Sequence, residues 1–287
     1  MNLIREAAVY ARLVKVEHTL FALPFALSAL CLANICGAAF GLREILLCVA
    51  AFTAARSAAM GFNRIADREF DAKNPRTKNR PSATGEISPR AMSAFTAASA
   101  AAFVACAYFI NTACFILSFP ALAVLFGYSY AKRFTAAAHY VLGLALSLAP
   151  AGAWIAASGS LDPRILALSG ALFFGIAAFD IIYALQDMEF DLREDLHSVP
   201  ASVGRGGALA VAAASLGVSA ALFFLTGRLF GLGTAYFACA SAIAALYAFG
   251  IFAVLFGGNA FVNAVFFYIN VASAWLGFFG VACELQL

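Results

Sequence analysis

From Leu229 to Cys283 the chain carries no charged residue. A membrane-crossing helix takes about 20 apolar residues, so this run must cross a bilayer and fold back. In water it would have no polar face to present. Ala91 to Ala131 is a second uncharged run long enough for two crossings. Shorter apolar stretches lie at Thr19–Leu42, at Ile45–Asn63 with the single charge Arg56, at Phe134–Leu161, at Ile165–Ala184 with Asp180 near its end, and at Gly206–Gly227. Turn signals divide the two long runs, at Asn111-Thr112 and at Gly257-Gly258-Asn259. The expectation is an all-α, polytopic membrane protein of about nine transmembrane helices.

Composition agrees and excludes other classes. Hydrophobic residues make up 64% of the 287 residues and charged residues 11%, against about 25% charged in an average soluble domain. Disorder is incompatible with so much apolar side chain. A net charge of +3 leaves no basic excess for nucleic acid. The seven Cys sit in apolar stretches without a CxxC pair, and read as small buried hydrophobes with free thiols. The start, Met1 to Glu6, lacks the basic and apolar regions of a cleaved signal peptide. One domain is expected over 1–287, with an interfacial helix over 1–17 and cytoplasmic motif loops over 64–90 and 185–205.

Lys and Arg set the orientation. With nine spans, all but four of the 18 fall at the N-terminus and in the loops after even-numbered spans. That side is therefore cytoplasmic, and the protein is expected in the cytoplasmic (inner) membrane with its N-terminus inside. Ten of the 15 acids gather in two places on the same side: Asp67, Glu69, Asp71 and Glu86, then Asp180, Asp187, Glu189, Asp191, Glu194 and Asp195.

The spacing within these clusters carries chemistry. Asn63, Asp67 and Asp71 recur every fourth residue, which on a helix lines three oxygen donors along one face. Arg56 lies seven residues earlier and shares that face. Asp180, Tyr183, Asp187 and Asp191 repeat the arrangement 120 residues later. Stacked carboxylates repel and need cations. Hard, sparse oxygen ligands suit Mg²⁺, which completes its shell with water and substrate phosphates. Two such motifs facing one another would hold a diphosphate through bridging metals. Nearby cations fit an anionic ligand: Arg76, Lys78 and Arg80 follow the first motif, and Tyr128 and Lys132 lie four apart after the fourth span. A span-embedded Arg56 usually marks a functional site. His18 and His139 each begin a span and could contact a polar acceptor or simply sit at the interface.

These residues closely resemble the UbiA superfamily of intramembrane prenyltransferases, on Asn63-xxx-Asp67-xxx-Asp71, Tyr128-xxx-Lys132 and Asp187-xxx-Asp191 in that order. His18-Thr-Leu-Phe-Ala-Leu-Pro24, Phe62-Asn-Arg-Ile-Ala-Asp67, Asn74-Pro-Arg-Thr77, Tyr183-Ala-Leu-Gln-Asp187 and Ser198-Val-Pro-Ala201 look like the 4-hydroxybenzoate polyprenyltransferase branch, which includes futalosine-route menaquinone enzymes. Arg64 departs from the second acid many members carry beside the Asn. The resemblance implies a helical bundle around a central cavity. It implies that Asp67, Asp71, Asp187 and Asp191 are catalytic and bind two Mg²⁺. It further implies that Asn63 contacts the metal-diphosphate and that Tyr128 and Lys132 touch the diphosphate. Helical phase adds Arg56, Asp180 and Tyr183 as substrate-binding residues. The implied reaction is Mg²⁺-dependent transfer from polyprenyl diphosphate to a ring carbon of a small aromatic acid, 4-hydroxybenzoate or a dihydroxynaphthoate, in ubiquinone or menaquinone biosynthesis, with the lipid bilayer as the tail's solvent. Alternatives are a haem or chlorophyllide acceptor, or a secondary transporter. A CDP-alcohol phosphotransferase is disfavoured because the first acids are not followed by Asp-Gly-xx-Ala-Arg.

Overall fold

The structure, a computed structural model, describes residues 3–285. The ends of the expected domain, residues 1–2 and 286–287, lie outside the described residues. Among the described residues there are helices and turns and no strand. In chain order the helices are α1 (Leu3–Val14), α2 (Leu23–Ile35), α3 (Leu42–Ala66), α4 (Arg68–Lys73), α5 (Pro81–Thr84), α6 (Pro89–Ile110), α7 (Thr112–Gly127), α8 (Ala138–Ser158), α9 (Ile165–Ala184), α10 (Met188–Arg193), α11 (Val199–Phe230), α12 (Thr234–Gly257), α13 (Val262–Ala264) and α14 (Asn270–Ala282). Tighter 3₁₀ turns cover Val16–Phe21 and Tyr128–Arg133, and a wide π turn joins α13 to α14. The chain divides into two compact units, Met1–Thr19 with Leu46–Tyr130, and Leu20–Ile45 with Ala131–Leu287. The sequence expectation of one domain over 1–287 did not distinguish them.

In the first unit α1 is amphipathic. It buries Val9 and Leu13 against Ile87 and Met92, with Tyr10, Ile65 and Phe95 around them. Arg12 pairs with Glu86 at 2.7 Å on the outer side. The helix expected over 1–17 ends at Val14, and Val9 and Leu13 turn toward protein. α6 starts on a Ser88 cap, whose hydroxyl accepts from Ala91 N–H, with Pro89 in the first turn. The break expected at Asn111-Thr112 is present: Asn111 ends α6 and caps α7, its Oδ1 accepting from Cys114 N–H at 2.8 Å.

The second unit is built on α9, the most buried span. α8 and α11 pack along it. Gly143 of α8 rests on the backbone carbonyl of Phe173, where a Cβ would collide. Ser219 of α11 donates to Ala171 O at 2.7 Å. α12 and α14 pack against each other as a hairpin. The break expected at Gly257-Gly258-Asn259 is there too, with Gly258 at φ +67°, ψ −154°, a conformation L side chains avoid. Cross-contacts sort the connections of this unit into two ends. At one end Gln186 bonds Asn263 and Arg205 bonds Asn259. At the other, Arg164 approaches Cys36 Sγ at 3.7 Å and Gly233 N–H donates to Glu284 at 2.9 Å.

Among the described residues eight helical segments are long and apolar enough to cross a membrane, the last being Thr234–Ala282. Gly258 divides that last segment, which fits the expectation of about nine. This is a multi-pass membrane protein. The seventh expected span is preceded by a short helical stretch: α11 begins at Val199, kinks at Gly204 (φ 70°, ψ 175°), and runs on from there as the span, in line with the apolar run that starts at Gly206.

Candidate functional site

The first acid motif lies where α3 gives way to α4. The helix leaves its path at Asp67 (φ −96°, ψ 8°), yet the backbone ladder runs through the break. Asp67 N–H donates to Asn63 O at 2.9 Å and Asp71 N–H to Asp67 O at 2.8 Å. Asn63, Asp67 and Asp71 thus keep the one-turn spacing the sequence implies, although on two helices. Asn63 Nδ2 donates to Asp67 Oδ2 at 2.7 Å. Asp71 is buried. Arg80 Nη1 reaches both its oxygens, at 2.7 and 2.9 Å, and Arg64 Nη1 lies 3.5 Å from Oδ2. Arg64 is itself buried and donates through Nε to Leu13 O at 3.3 Å.

Arg56 does share the Asn63 face of α3, but its guanidinium turns to the end of α1. It donates to Val14 O and Lys15 O, each at 2.9 Å. Two arginines of α3 therefore bond three consecutive carbonyls at and just after the end of α1, of which Lys15 O also accepts from His18 N–H at 2.9 Å. Lys15 follows α1 at φ +48°. Burial, together with Arg80, Arg64 and Arg76, lowers its pKa to about 8. A lysine and three arginines gathered beside an acid motif make an electropositive cluster suited to a multivalent anion.

The second motif repeats the first in local structure. α9 ends at Ala184, Asp187 (φ −101°, ψ 0°) precedes the six-residue α10, and Asp191 N–H donates to Asp187 O at 2.8 Å. Both Asp187 and Asp191 are buried. Asp180, Tyr183, Asp187 and Asp191 therefore do not share one continuous helix, because α9 stops short of Asp187. Tyr183 lays its ring on Phe266, centroids 4.3 Å apart. Asp180 meets His139, with Oδ2 2.6 Å from Nδ1. Lys132 Nζ lies 3.7 Å from Asp191 Oδ2, and Lys132 O accepts from His197 N–H at 2.7 Å. Tyr128 and Lys132 belong to a 3₁₀ turn, where residues three apart eclipse. The α-helical argument that put these two on one face does not apply there.

The chemistry of this donor set fits a hard divalent cation. Within each unit the motif offers two aspartates, and among the described residues no three His, Cys, Asp or Glu side chains converge. Asp191 Oδ2 is buried and takes no hydrogen bond. Burial pushes the Asp191 carboxyl above the usual carboxylate range, against the pull of Lys132. A buried oxygen left without a bond costs free energy, and a cation would relieve it.

The sequence profile described as the UbiA prenyltransferase family matches residues 22–257. The chain belongs to that family. Among curated relatives, the 4-hydroxybenzoate octaprenyltransferase of Azotobacter vinelandii is 33% identical over 205 residues, 71% of this chain and 69% of that protein. The enzyme of the same name from Ectopseudomonas mendocina is 36% identical over 179 residues, 62% and 60%. The Neisseria meningitidis serogroup B enzyme is 33% identical over 150 residues, 52% and 51%. The chain thus spans about half to two thirds of the length of the curated relatives it matches. A solved UbiA homologue from Aeropyrum pernix superposes with TM-score 0.86 at 32% identity, covering 94% of this chain and 98% of that one. A homologue from Archaeoglobus fulgidus, bound to DMAPP and Mg²⁺, shares the fold at TM-score 0.72 and 24% identity, covering 96% and 99%.

Against the UbiA frame, three features escaped the sequence reading. Lys15 counted only as a basic residue; its signal is the positive φ that follows α1. Ser198 was noted only as part of Ser198-Val-Pro-Ala201, and its role was not: fully buried, it caps α11 by accepting from Ala201 N–H. The third was in plain view: Asp67-Arg-Glu-Phe-Asp71 and Asp187-Met-Glu-Phe-Asp191 share Asp-x-Glu-Phe-Asp. The repeat is closer than the alternate acids alone suggest.

Proposed function

We propose that this chain transfers a polyprenyl group from polyprenyl diphosphate to a ring carbon of a small aromatic acid, 4-hydroxybenzoate or a dihydroxynaphthoate, in quinone biosynthesis. The observation that carries the reading is the pair of Asp-x-Glu-Phe-Asp elements, each at the break between a span and a six-residue helix. Family membership and relatives that are 4-hydroxybenzoate octaprenyltransferases support it. In this reading Asp67, Asp71, Asp187 and Asp191 hold Mg²⁺, and Asn63 contributes at the first motif. The Archaeoglobus fulgidus homologue bound to DMAPP and Mg²⁺ supports the choice of ion. Bound Mg²⁺ supplies positive charge to the leaving diphosphate.

The protein's own groups supply the rest. Lys132 and Tyr128 bind the diphosphate, and Lys15 and Arg80 supply positive charge beside the first motif. Arg56 offers its cation to the anionic substrates, and Asp180 and Tyr183 line the face beneath the second motif. The apolar spans exclude water, which would otherwise quench an allylic cation, and keep the tail in the bilayer. The protein resides in the cytoplasmic membrane with both motifs and its N-terminus on the inner side, an orientation that rests on the distribution of Lys and Arg. The whole of 1–287 serves as one prenyltransferase domain.

The test is a membrane assay with prenyl diphosphate, Mg²⁺ and a panel of aromatic acids, read by product mass. Prenylated acid with stoichiometric diphosphate release is expected, and its loss in Asp67→Ala and Asp187→Ala. Near-wild-type turnover in both variants, or flux across vesicles without diphosphate release, would sink the assignment.

A further inference from the structure

His139 and Asp180 form a pair that the diphosphate chemistry leaves unused. His139 is fully buried in the first turn of α8. Its Nε2 faces Val199 N–H at 3.3 Å and its Nδ1 faces Asp180 Oδ2 at 2.6 Å. A backbone N–H can only donate, so Nε2 holds a lone pair and the ring proton sits on Nδ1, directed at the carboxylate. His139 is therefore a neutral strut with both nitrogens engaged, tying α9 to the start of α11. Among the described residues the other oxygen of Asp180 takes no hydrogen bond, and the side chain is 24% exposed. Asp180 lies four residues before the end of α9, about 6 Å inside the apolar span at 1.5 Å per residue. A carboxylate at that depth is costly and marks function. It stands below the diphosphate motif, on the side toward the hydrocarbon.

We infer that Asp180 is the proton acceptor of the transfer step and His139 the positioning residue that holds it. The inference rests on the prenyl-transfer reading. The bond between prenyl C1 and the diphosphate oxygen breaks, and its electron pair leaves with the diphosphate. C1 bonds to the acceptor's ring carbon, which then carries both the prenyl group and a hydrogen. The C–H pair returns to the ring and restores aromaticity, and the proton moves to the free oxygen of Asp180. The neutral acid later returns that proton to solvent at its exposed edge. His139 contributes by fixing which oxygen is tied and which is presented, without itself gaining a proton.

Two substitutions separate the two bonds of the ring. An Asn side chain places its amide N–H near the Nδ1 position and preserves the bond to Asp180. A Gln side chain reaches the Nε2 position and preserves the acceptor for Val199. With wild-type protein in membranes, ring-deuterated 4-hydroxybenzoate is expected to turn over as fast as the protonated acid. His139→Gln is expected to lower kcat about 10²-fold with KM for prenyl diphosphate unchanged, and to reveal a primary isotope effect as proton removal becomes limiting. His139→Asn is expected to keep kcat within about threefold, with no isotope effect. Asp180→Asn removes transfer. An active His139→Gln without an isotope effect, or parallel losses in the Gln and Asn variants with lowered unfolding temperatures, would overturn the assignment while leaving prenyl transfer intact. Wild-type protein that prenylates no aromatic acid would overturn the parent reading, and this one with it.

Discussion

Asp191 and Lys15 are both pressed toward their neutral forms by burial, and they answer a ligand from opposite sides. Asp191 is raised above the ordinary carboxylate range, so protons compete with a cation there at higher pH than at an exposed aspartate. Mg²⁺ affinity should therefore fall on acidification with a midpoint above that of a free carboxylate, and Asp191→Asn should flatten that limb. Titration of Mg²⁺ against pH by calorimetry in detergent checks both. Lys15 is lowered to about 8, so between pH 8 and the ordinary lysine value of about 10.4 the unfolded chain binds more protons than the folded one. Stability consequently rises with pH across that window. Lys15→Met should raise the unfolding temperature at pH 7, and the gain over wild type should shrink as pH climbs through the window. The same variant should raise KM for prenyl diphosphate about tenfold, the scale of one charge-assisted hydrogen bond. At this scale the acids were legible because charge is so scarce in the chain. Lys15, Ser198 and the His139–Asp180 pair were not, since each depends on partners far away in sequence or on a backbone angle.

Helix breaks were legible where a residue type forces them, as at Asn111 and Gly258. They were hidden at Asp67 and Asp187. There the chain resumes a helix after one residue in the first motif and after three in the second, so the four-residue period of the acids persists across the gap and conceals it. The start of the seventh span was legible as well: Gly204 breaks α11 (φ 70°, ψ 175°), the span follows it where the apolar run begins, and Arg205 at that flank donates to Val254 O near the end of α12. Close helix packing leaves a different imprint. Gly143 sits on the Phe173 carbonyl, whereas nothing lies within 4 Å of a Cβ at Gly152 on the same helix. Gly143→Val should lower unfolding stability by about 1–3 kcal/mol through forced separation of α8 and α9, with Gly152→Val close to neutral. Thermal unfolding of the two variants in one detergent decides this. Equal effects would mean that helix propensity, not the contact, sets the cost.

For the molecule as a whole, the alternation of spans and the Lys and Arg bias make a joint claim that the cysteines can test. Cys36 follows α2, Cys283 follows α14, and both are exposed, while the remaining five thiols are half-buried in spans. With the N-terminus inside and the last apolar segment divided at Gly258, both exposed thiols come out on the side opposite the acid motifs. The contacts agree for that end of the second unit: Cys36 lies by Arg164, and Glu284, beside Cys283, accepts from Gly233 in the α11–α12 turn. If Thr234–Ala282 crossed once, Cys283 would lie on the inner side and Cys36 would not. Single-cysteine variants in right-side-out membrane vesicles, probed with a membrane-impermeant maleimide, should label at both positions, and inverted vesicles at neither. Labelling of Cys36 alone in right-side-out vesicles would remove the ninth crossing. Labelling of both only in inverted vesicles would reverse the whole orientation and move the acid motifs to the outer face, away from a cytoplasmic supply of prenyl diphosphate.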